Sequence, residues 1–341
     1  MKAVVIDRHG GPEVLGYRDV PDPVPGPLEV VVRVRACALN HLDLWIRQGV
    51  PGVVLPRIVG SDVAGEIEQI GSGVAGWKAG DRVLISPGLS CGNCQACASG
   101  QDNLCRQYSV LGMIWDGGYA ERVRIPAVNL MRMPLTLSFE QAAAVPLVFL
   151  TAWHMLVGRA AVRPGETVLV LGASSGVGSA AIQVGRLIGA RVLATAGDAE
   201  KRSLAEKLGS EATFDHYQPG WPEQVRAANG GRGVDVVFEH VGAATFEHSV
   251  AVLATGGRLV TCGATSGAEA RVDLRKLFYK QLSLLGSFMG TRGEMLEVMK
   301  FVEAGRLRPV LDRTFDLARA AQAQQHLSDS RHFGKVVLTV G

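Results

Sequence analysis

Short runs in which apolar and polar side chains alternate open the chain. Residues 2–6 (KAVVI), 30–35 (VVVRVR) and 63–70 (VAGEIEQI) have the two-residue period of strands and are bounded by Gly and Pro. The first third is therefore expected to be mostly β. The pattern changes at Leu137, where LSFEQAAAVPLVFLTAWHMLV reads as an apolar helix continuing around Pro146, with Ser138 as its N-cap. Beyond it, ETVLVLGASSGVGSAAIQVGRLIGARVLATAG reads as strand, glycine-rich turn, helix and strand, and a polar helix follows over residues 199–208. DVVFEHVG, GRLVTCGA and LSLLGSF supply three more short strands, which completes the alternation of a doubly wound parallel sheet. After Met289 come a helix over 294–304 and a closing strand over 335–340.

Composition narrows the class. A chain of 341 residues has room for about two domains. Its 47% apolar and 20% charged content excludes a disordered chain, a collagen-like fibre and a small disulfide-stapled scaffold. The 35 basic and 32 acidic side chains are dispersed and sum to +3, so no basic surface for nucleic acid is implied. The longest apolar stretch, residues 142–153, is too short to cross a bilayer and is interrupted by Pro146. The N-terminus, MKAVVIDRHG, carries no apolar secretory segment. The expectation is a cytoplasmic protein without membrane contact.

Four of the six cysteines, Cys91, Cys94, Cys97 and Cys105, lie within fifteen residues in the form CxxCxxCx7C. Two disulfides in so short a segment would be strained, whereas four thiolates on a tight loop make a closed tetrahedral site for Zn²⁺. Such a site has no open coordination position, so it braces a loop and cannot activate a substrate. Four cysteines also suit an iron–sulfur cluster, but no electron-transfer signature accompanies them here. Cys37 reads as a buried core thiol.

The turn GASSGVG, with Gly172, Ser174, Ser175, Gly176, Val177 and Gly178, follows an apolar strand and opens a helix. Glycine at these places lets backbone N–H groups and the electropositive helix end approach a pyrophosphate. Which dinucleotide binds depends on the end of the next strand, where a carboxylate would favour the ribose diol of NAD(H). By register Ala196 stands there, with Lys201 and Arg202 downstream to attract a 2′-phosphate, so NADP(H) is expected over NAD(H). A shift of two residues would bring Asp198 to that position and favour NAD(H).

The two motifs in this order resemble the medium-chain dehydrogenase/reductase superfamily, which includes zinc alcohol dehydrogenases and quinone oxidoreductases. The likeness is carried by GSDVAGEIEQIGSGVAGWKAGDRV (60–83), the four-cysteine lobe, GGYAERVRIP (117–126), LTAW (150–153) and GKVVL (334–338). It implies an α/β protein with a GroES-like, mostly β catalytic domain split around a Rossmann coenzyme domain. The catalytic domain would comprise residues 1–148 and 289–341, with a zinc lobe at about 88–108, and the coenzyme domain residues 149–288. In the alcohol dehydrogenases a catalytic zinc is held by two Cys and one His. Aligned on Asp43, Gly60 and Thr151, those positions become Asn40, Ser61 and Leu147, and none is a good zinc ligand. His41, Asp43 and Asp62 would be an alternative donor set.

NHLDLWIRQG, GSDVAG and LTAW are more similar to the quinone oxidoreductase branch. That resemblance places Asn40 at the nicotinamide and the substrate carbonyl, Thr151 at the carboxamide, Tyr217 near the adenosine phosphate and Lys335 near the pyrophosphate. The candidate catalytic residues are Asn40 and Asp43. Trp45 replaces a tyrosine common in that branch, so a water or His41 would have to supply the proton. Hydride transfer to an enone or quinone sends charge into a delocalised oxyanion that an amide can stabilise, whereas an isolated alkoxide calls for a cation. The expected activity is therefore reduction of a quinone, an enone or another activated carbonyl without a catalytic zinc. Alcohol oxidation with a second metal and non-catalytic NADPH binding are the alternatives. LSLLGSF offers a sheet edge for pairing across a two-fold axis, and a homodimer or homotetramer is expected.

Overall fold

The computed structural model describes residues 1–341. The chain divides into two compact units, Met1–Leu147 with Thr291–Gly341, and Val148–Gly290.

The first unit is built on a seven-stranded sheet. Its order is Leu130–Arg132, Arg82–Ile85, Asp62–Ile70, Glu29–Ala38, Lys335–Thr339 and Leu311–Asp316, with Arg122–Pro126 also paired to Glu29–Ala38. Alternating valines on Glu29–Ala38 feed a core with Ile67, Tyr119, Ile125 and Leu338. Register decides what meets at one end of this sheet. Ala38 lies opposite Asp62 on one neighbour and Val337 on the other, and the Leu39 N–H bonds to the Val336 carbonyl. Asn40, Asp62 and Lys335, far apart in sequence, thus come together. A three-stranded sheet, Leu15–Asp19, Lys2–Ile6 and Arg57–Ile58, completes the β framework, and the pair Gly88–Leu89 and Ser109–Val110 brackets the cysteine lobe.

The second unit is a six-stranded sheet, parallel throughout. Its order is Ala212–Phe214, Arg191–Thr195, Thr167–Val170, Val234–Glu239, Leu253–Thr261 and Ser283–Gly286. The order reverses between Thr167–Val170 and Val234–Glu239, which opens a crevice at the carboxyl ends of those strands. The polar helix forms as Ala199–Leu208, capped by Asp198 and ended by Gly209 in the left-handed region.

The helix expected to continue around Pro146 is broken there. Ser138 caps Phe139–Ala143 through a capping box, and a new helix, Pro146–Trp153, starts with the proline as its first residue. Proline has no N–H to give a preceding turn but suits a first turn, where that donor has no intrahelical partner. Taken together, Phe139–Arg159 is longer than the apolar stretch read from sequence and is long and apolar enough to cross a membrane, but 72% of its apolar window is buried in the protein, as in a core helix.

Candidate active site and cysteine lobe

Asn40 ends the extended run of the central strand and starts the helix His41–Gln48. Its backbone N–H donates to Asp43 Oδ2 at 2.9 Å, the return half of a capping box. The Asn40 side chain, 7% exposed, lies among charged groups. Lys335 Nζ donates to Asn40 Oδ1 at 2.7 Å, to the Leu39 carbonyl at 2.7 Å and to Asp62 Oδ2 at 2.9 Å. Asn40 Nδ2 donates to the same Asp62 oxygen at 3.0 Å, while Asp62 Oδ1 accepts from the Leu147 N–H at 2.8 Å. The Lys335 side chain is 3% exposed and that of Asp62 is fully buried. A buried ion pair persists only when its remaining lone pairs and protons are satisfied, and here three acceptors engage the three ammonium protons.

Asp43 lies beneath this group and is fully buried. Its Oδ2 also accepts from the Tyr119 hydroxyl at 3.3 Å, whereas its Oδ1 has no partner. Burial pushes its carboxyl up to about 7, against the backbone N–H of Asn40 and the Lys335 charge, which pull it down. Burial likewise raises the Cys37 thiol well above its usual range, which makes it an inert core group.

In the second unit the glycine-rich turn leads from Thr167–Val170 into the helix Gly176–Leu187. Gly172 takes a φ of +60°, and a Cβ on Gly178 would collide with the Gly172 carbonyl oxygen. Ser175 caps the helix by accepting the Gly178 N–H at 2.8 Å, and its hydroxyl lies 3.2 Å from His240 Nε2. The N–H groups of Gly176 and Val177, in the first helical turn, have no intrahelical acceptor and are suited to an anion. Ser174 belongs to the same turn. Thr151 lies on Pro146–Trp153 with its hydroxyl buried and unpaired, a donor waiting for a polar group. These features fit a pyrophosphate and a carboxamide.

At the end of Arg191–Thr195, Ala196 is buried and presents no carboxylate. Asp198 is committed to its helix, accepting the Lys201 N–H at 2.8 Å and pairing with Lys201 Nζ at 3.4 Å. Arg202 pairs with Asp215 at 3.3 Å. Tyr217 is 75% exposed, and its ring lies against Gly197, where a Cβ would strike it.

Cys91, Cys94, Cys97 and Cys105 bring their sulfurs within 4.8 Å of one another, the only such grouping of His, Cys, Asp or Glu side chains in the protein. The separations are 3.5 Å for Cys94 and Cys97, 3.5 Å for Cys91 and Cys105, and 3.9 Å for Cys91 and Cys97. A tetrahedron of thiolates about 2.3 Å from Zn²⁺ has edges of about 3.8 Å, so the lobe fits that ion. Backbone N–H groups of Asn93 and Cys94 pull the Cys91 thiol down to about 6, and the Gln107 N–H donates to Cys105 Sγ at 3.3 Å.

The sequence-predicted residues therefore fall into three places. Asn40, Asp43 and Lys335 share one buried cluster. Thr151, the glycine-rich turn, Ala196, Lys201, Arg202 and Tyr217 belong to the nucleotide-fold unit, and the four cysteines form the lobe. Lys335, expected beside a pyrophosphate, has all three ammonium protons bound by Leu39, Asn40 and Asp62. Sequence reasoning missed the partnership of Asp62 and Tyr119 with this cluster. GSD offered a signal for Asp62, whereas nothing near Tyr119 did.

A glycine-rich dinucleotide turn in one unit and a GroES-like β fold in the other are the two parts of an oxidoreductase that works with a nicotinamide dinucleotide. Residues 26–135 match the family described as alcohol dehydrogenase GroES-like domain, and residues 176–304 match the one described as zinc-binding dehydrogenase. Over 99% of its length the chain is 31% identical to the quinone oxidoreductase of Homo sapiens, covering 97% of that protein. It is 34% identical over 99% of its length to the acryloyl-coenzyme A reductase of Metallosphaera sedula, covering 100% of it. A crystal structure titled NAD-dependent alcohol dehydrogenase matches with a TM-score of 0.97 and 49% identity over 100% of both chains. The chain belongs to the medium-chain dehydrogenase/reductase superfamily, and it is an NAD(P)-dependent oxidoreductase.

A catalytic zinc of the alcohol dehydrogenase kind does not fit. Ser61 is fully buried and donates its hydroxyl to the Leu111 carbonyl at 2.8 Å, Leu147 offers an apolar side chain, and Asn40 Oδ1 accepts from an ammonium. Of the alternative donors, Asp62 holds Lys335 and Asp43 caps a helix.

Proposed function

We propose that this enzyme transfers hydride from NADPH to the β-carbon of an enone or to a quinone, without a catalytic metal. The carrying observation is that Asn40, at one of the positions where a metal would need a ligand, is bound instead to Asp62 and Lys335, while Ser61 is tied to the Leu111 carbonyl. Hydride addition at the β-carbon moves the electron pair onto the carbonyl oxygen, and a proton from solvent then completes the product. Asn40 supplies an amide N–H to that oxygen, which suffices for a delocalised enolate or quinol anion and falls short for an isolated alkoxide. The names of the quinone oxidoreductase and acryloyl-coenzyme A reductase relatives support this acceptor class.

The cofactor preference follows from Ala196 at the end of its strand and from Asp198 being used as a helix cap. Lys201, Arg202 and Tyr217 border that place, which favours a 2′-phosphate. Thr151 bonds the carboxamide. The four cysteines hold one structural Zn²⁺ per chain. The edge strand Ser283–Gly286, near exposed Phe278 and Tyr279, pairs with a second copy in a homodimer or homotetramer. A second reading, alcohol oxidation, draws on the 49% identity to an NAD-dependent alcohol dehydrogenase. Elemental analysis with substrate assays separates the two. One zinc per chain and turnover of enones is the expected result, whereas two metals per chain and alcohol turnover overturns it. Within the proposal, an Asn40→Ala enzyme with undiminished single-turnover hydride transfer would remove Asn40 from the mechanism.

A further inference from the structure

We propose that the Lys335–Asp62 ion pair is a positioning device that locks the orientation of the Asn40 carboxamide so that one defined N–H is left to bind the substrate oxygen. This inference rests on the reading of Asn40 as the oxygen-binding donor. A carboxamide can ordinarily turn over, exchanging its oxygen and nitrogen at little cost. Here each end faces a group of fixed polarity. An ammonium only donates and an ionised carboxylate only accepts, so Oδ1 belongs to Lys335 at 2.7 Å and Nδ2 to Asp62 at 3.0 Å. The reversed amide would set N–H against N–H at one end and oxygen against oxygen at the other, between charges shielded from water. The pair is itself held, since Lys335 also bonds the Leu39 carbonyl and Asp62 the Leu147 N–H.

Nδ2 carries two protons, and Asp62 takes one. The second is engaged by neither member of the ion pair and is the donor assigned here to the substrate oxygen. An ammonium on the carbonyl side withdraws electron density through the amide, and hydrogen bonds in such a chain strengthen one another. The Asp62 carboxylate on the other N–H works against this, so what the pair secures is the direction of the remaining N–H rather than its strength. The fixed positive charge of this site is a lysine carried by the chain's last strand.

A mutant cycle tests the proposal. Lys335→Met alone would strand a buried carboxylate, so the informative variant is Lys335→Met combined with Asp62→Asn, which removes both charges and keeps an oxygen for the Leu147 N–H. It is compared with Asn40→Ala and with the triple variant in single-turnover hydride transfer from NADPH to an enone, with NADPH affinity measured by fluorescence. The charge-pair variant should slow the hydride step by about tenfold or more. The triple variant should be no slower than Asn40→Ala, and NADPH affinity should stay within about twofold of wild type. Rate losses that multiply in the triple variant overturn the proposal, as does a loss of NADPH affinity that matches the loss of rate, which would make Lys335 a cofactor ligand. An Asn40→Ala enzyme as fast as wild type removes the donor reading itself, and with it the role of the pair.

Discussion

Asp43 shows how one side chain can serve the site without facing a reactant. Its Oδ2 holds the Asn40 backbone and the Tyr119 hydroxyl, and its Oδ1 is buried without a partner. With its carboxyl raised to about 7 in the folded state, the native protein keeps a proton that the unfolded chain releases near pH 4. Between those values the folded state binds more protons, so this group makes stability fall as pH rises, by at most about 1.4 kcal/mol per pH unit. In Asp43→Asn the cap acceptor survives and the titration is gone. The wild-type-minus-variant difference in unfolding free energy, from urea titrations, should decline from pH 4 to pH 7, and a flat difference would contradict the raised value. Thr151 makes the converse case, since its buried hydroxyl has no partner to lose. Thr151→Val should leave stability within about 1 kcal/mol and weaken NADPH binding about fivefold, the worth of one hydrogen bond. Binding equal to wild type would show that the hydroxyl does not reach the cofactor.

Elements differ in how much of themselves the sequence shows. The cysteine lobe was legible because all four sulfurs belong to one loop and their spacing alone brings them together. The glycine-rich turn was legible for a similar reason, since strand, turn and helix are consecutive. The helix His41–Gln48 was harder to see, because it is short and its buried face includes Asp43 and Arg47, which break the apolar stripe. Ala320–Ser328 hides behind Gln324, a buried polar residue on its inner face. The helix at Pro146 was misread because apolar content continues through a backbone break. Two predictions belong here. Cys94→Ser or strong chelators should release zinc and open the segment around residues 91–105 to proteolysis, because a structural site stabilises its own loop. A lobe equally resistant with and without metal would show that packing alone holds it. In Gly178→Ala the new methyl meets the Gly172 carbonyl, which should cost about 1–3 kcal/mol and reduce NADPH affinity, as read by melting and fluorescence titration.

For the whole molecule, cofactor binding and folding are linked. A ligand at 100 times its dissociation constant stabilises the native state by about 2.7 kcal/mol, so NADPH should raise the melting temperature more than NADH at equal concentration. A larger shift with NADH would reverse the assigned preference. The sequence by itself determined the superfamily, the order of β unit and nucleotide fold, the glycine-rich turn and the grouping of the four cysteines. Each of these is written in contiguous residues whose spacing carries the physics. Only the tertiary structure decided what Lys335 does, because its partners Leu39, Asn40 and Asp62 are nearly three hundred residues away and meet it through strand register. Burial decided Asp43 in the same way. A carboxyl's proton affinity depends on the water taken from it, and the surrounding core that excludes water is assembled only when distant strands close over the site.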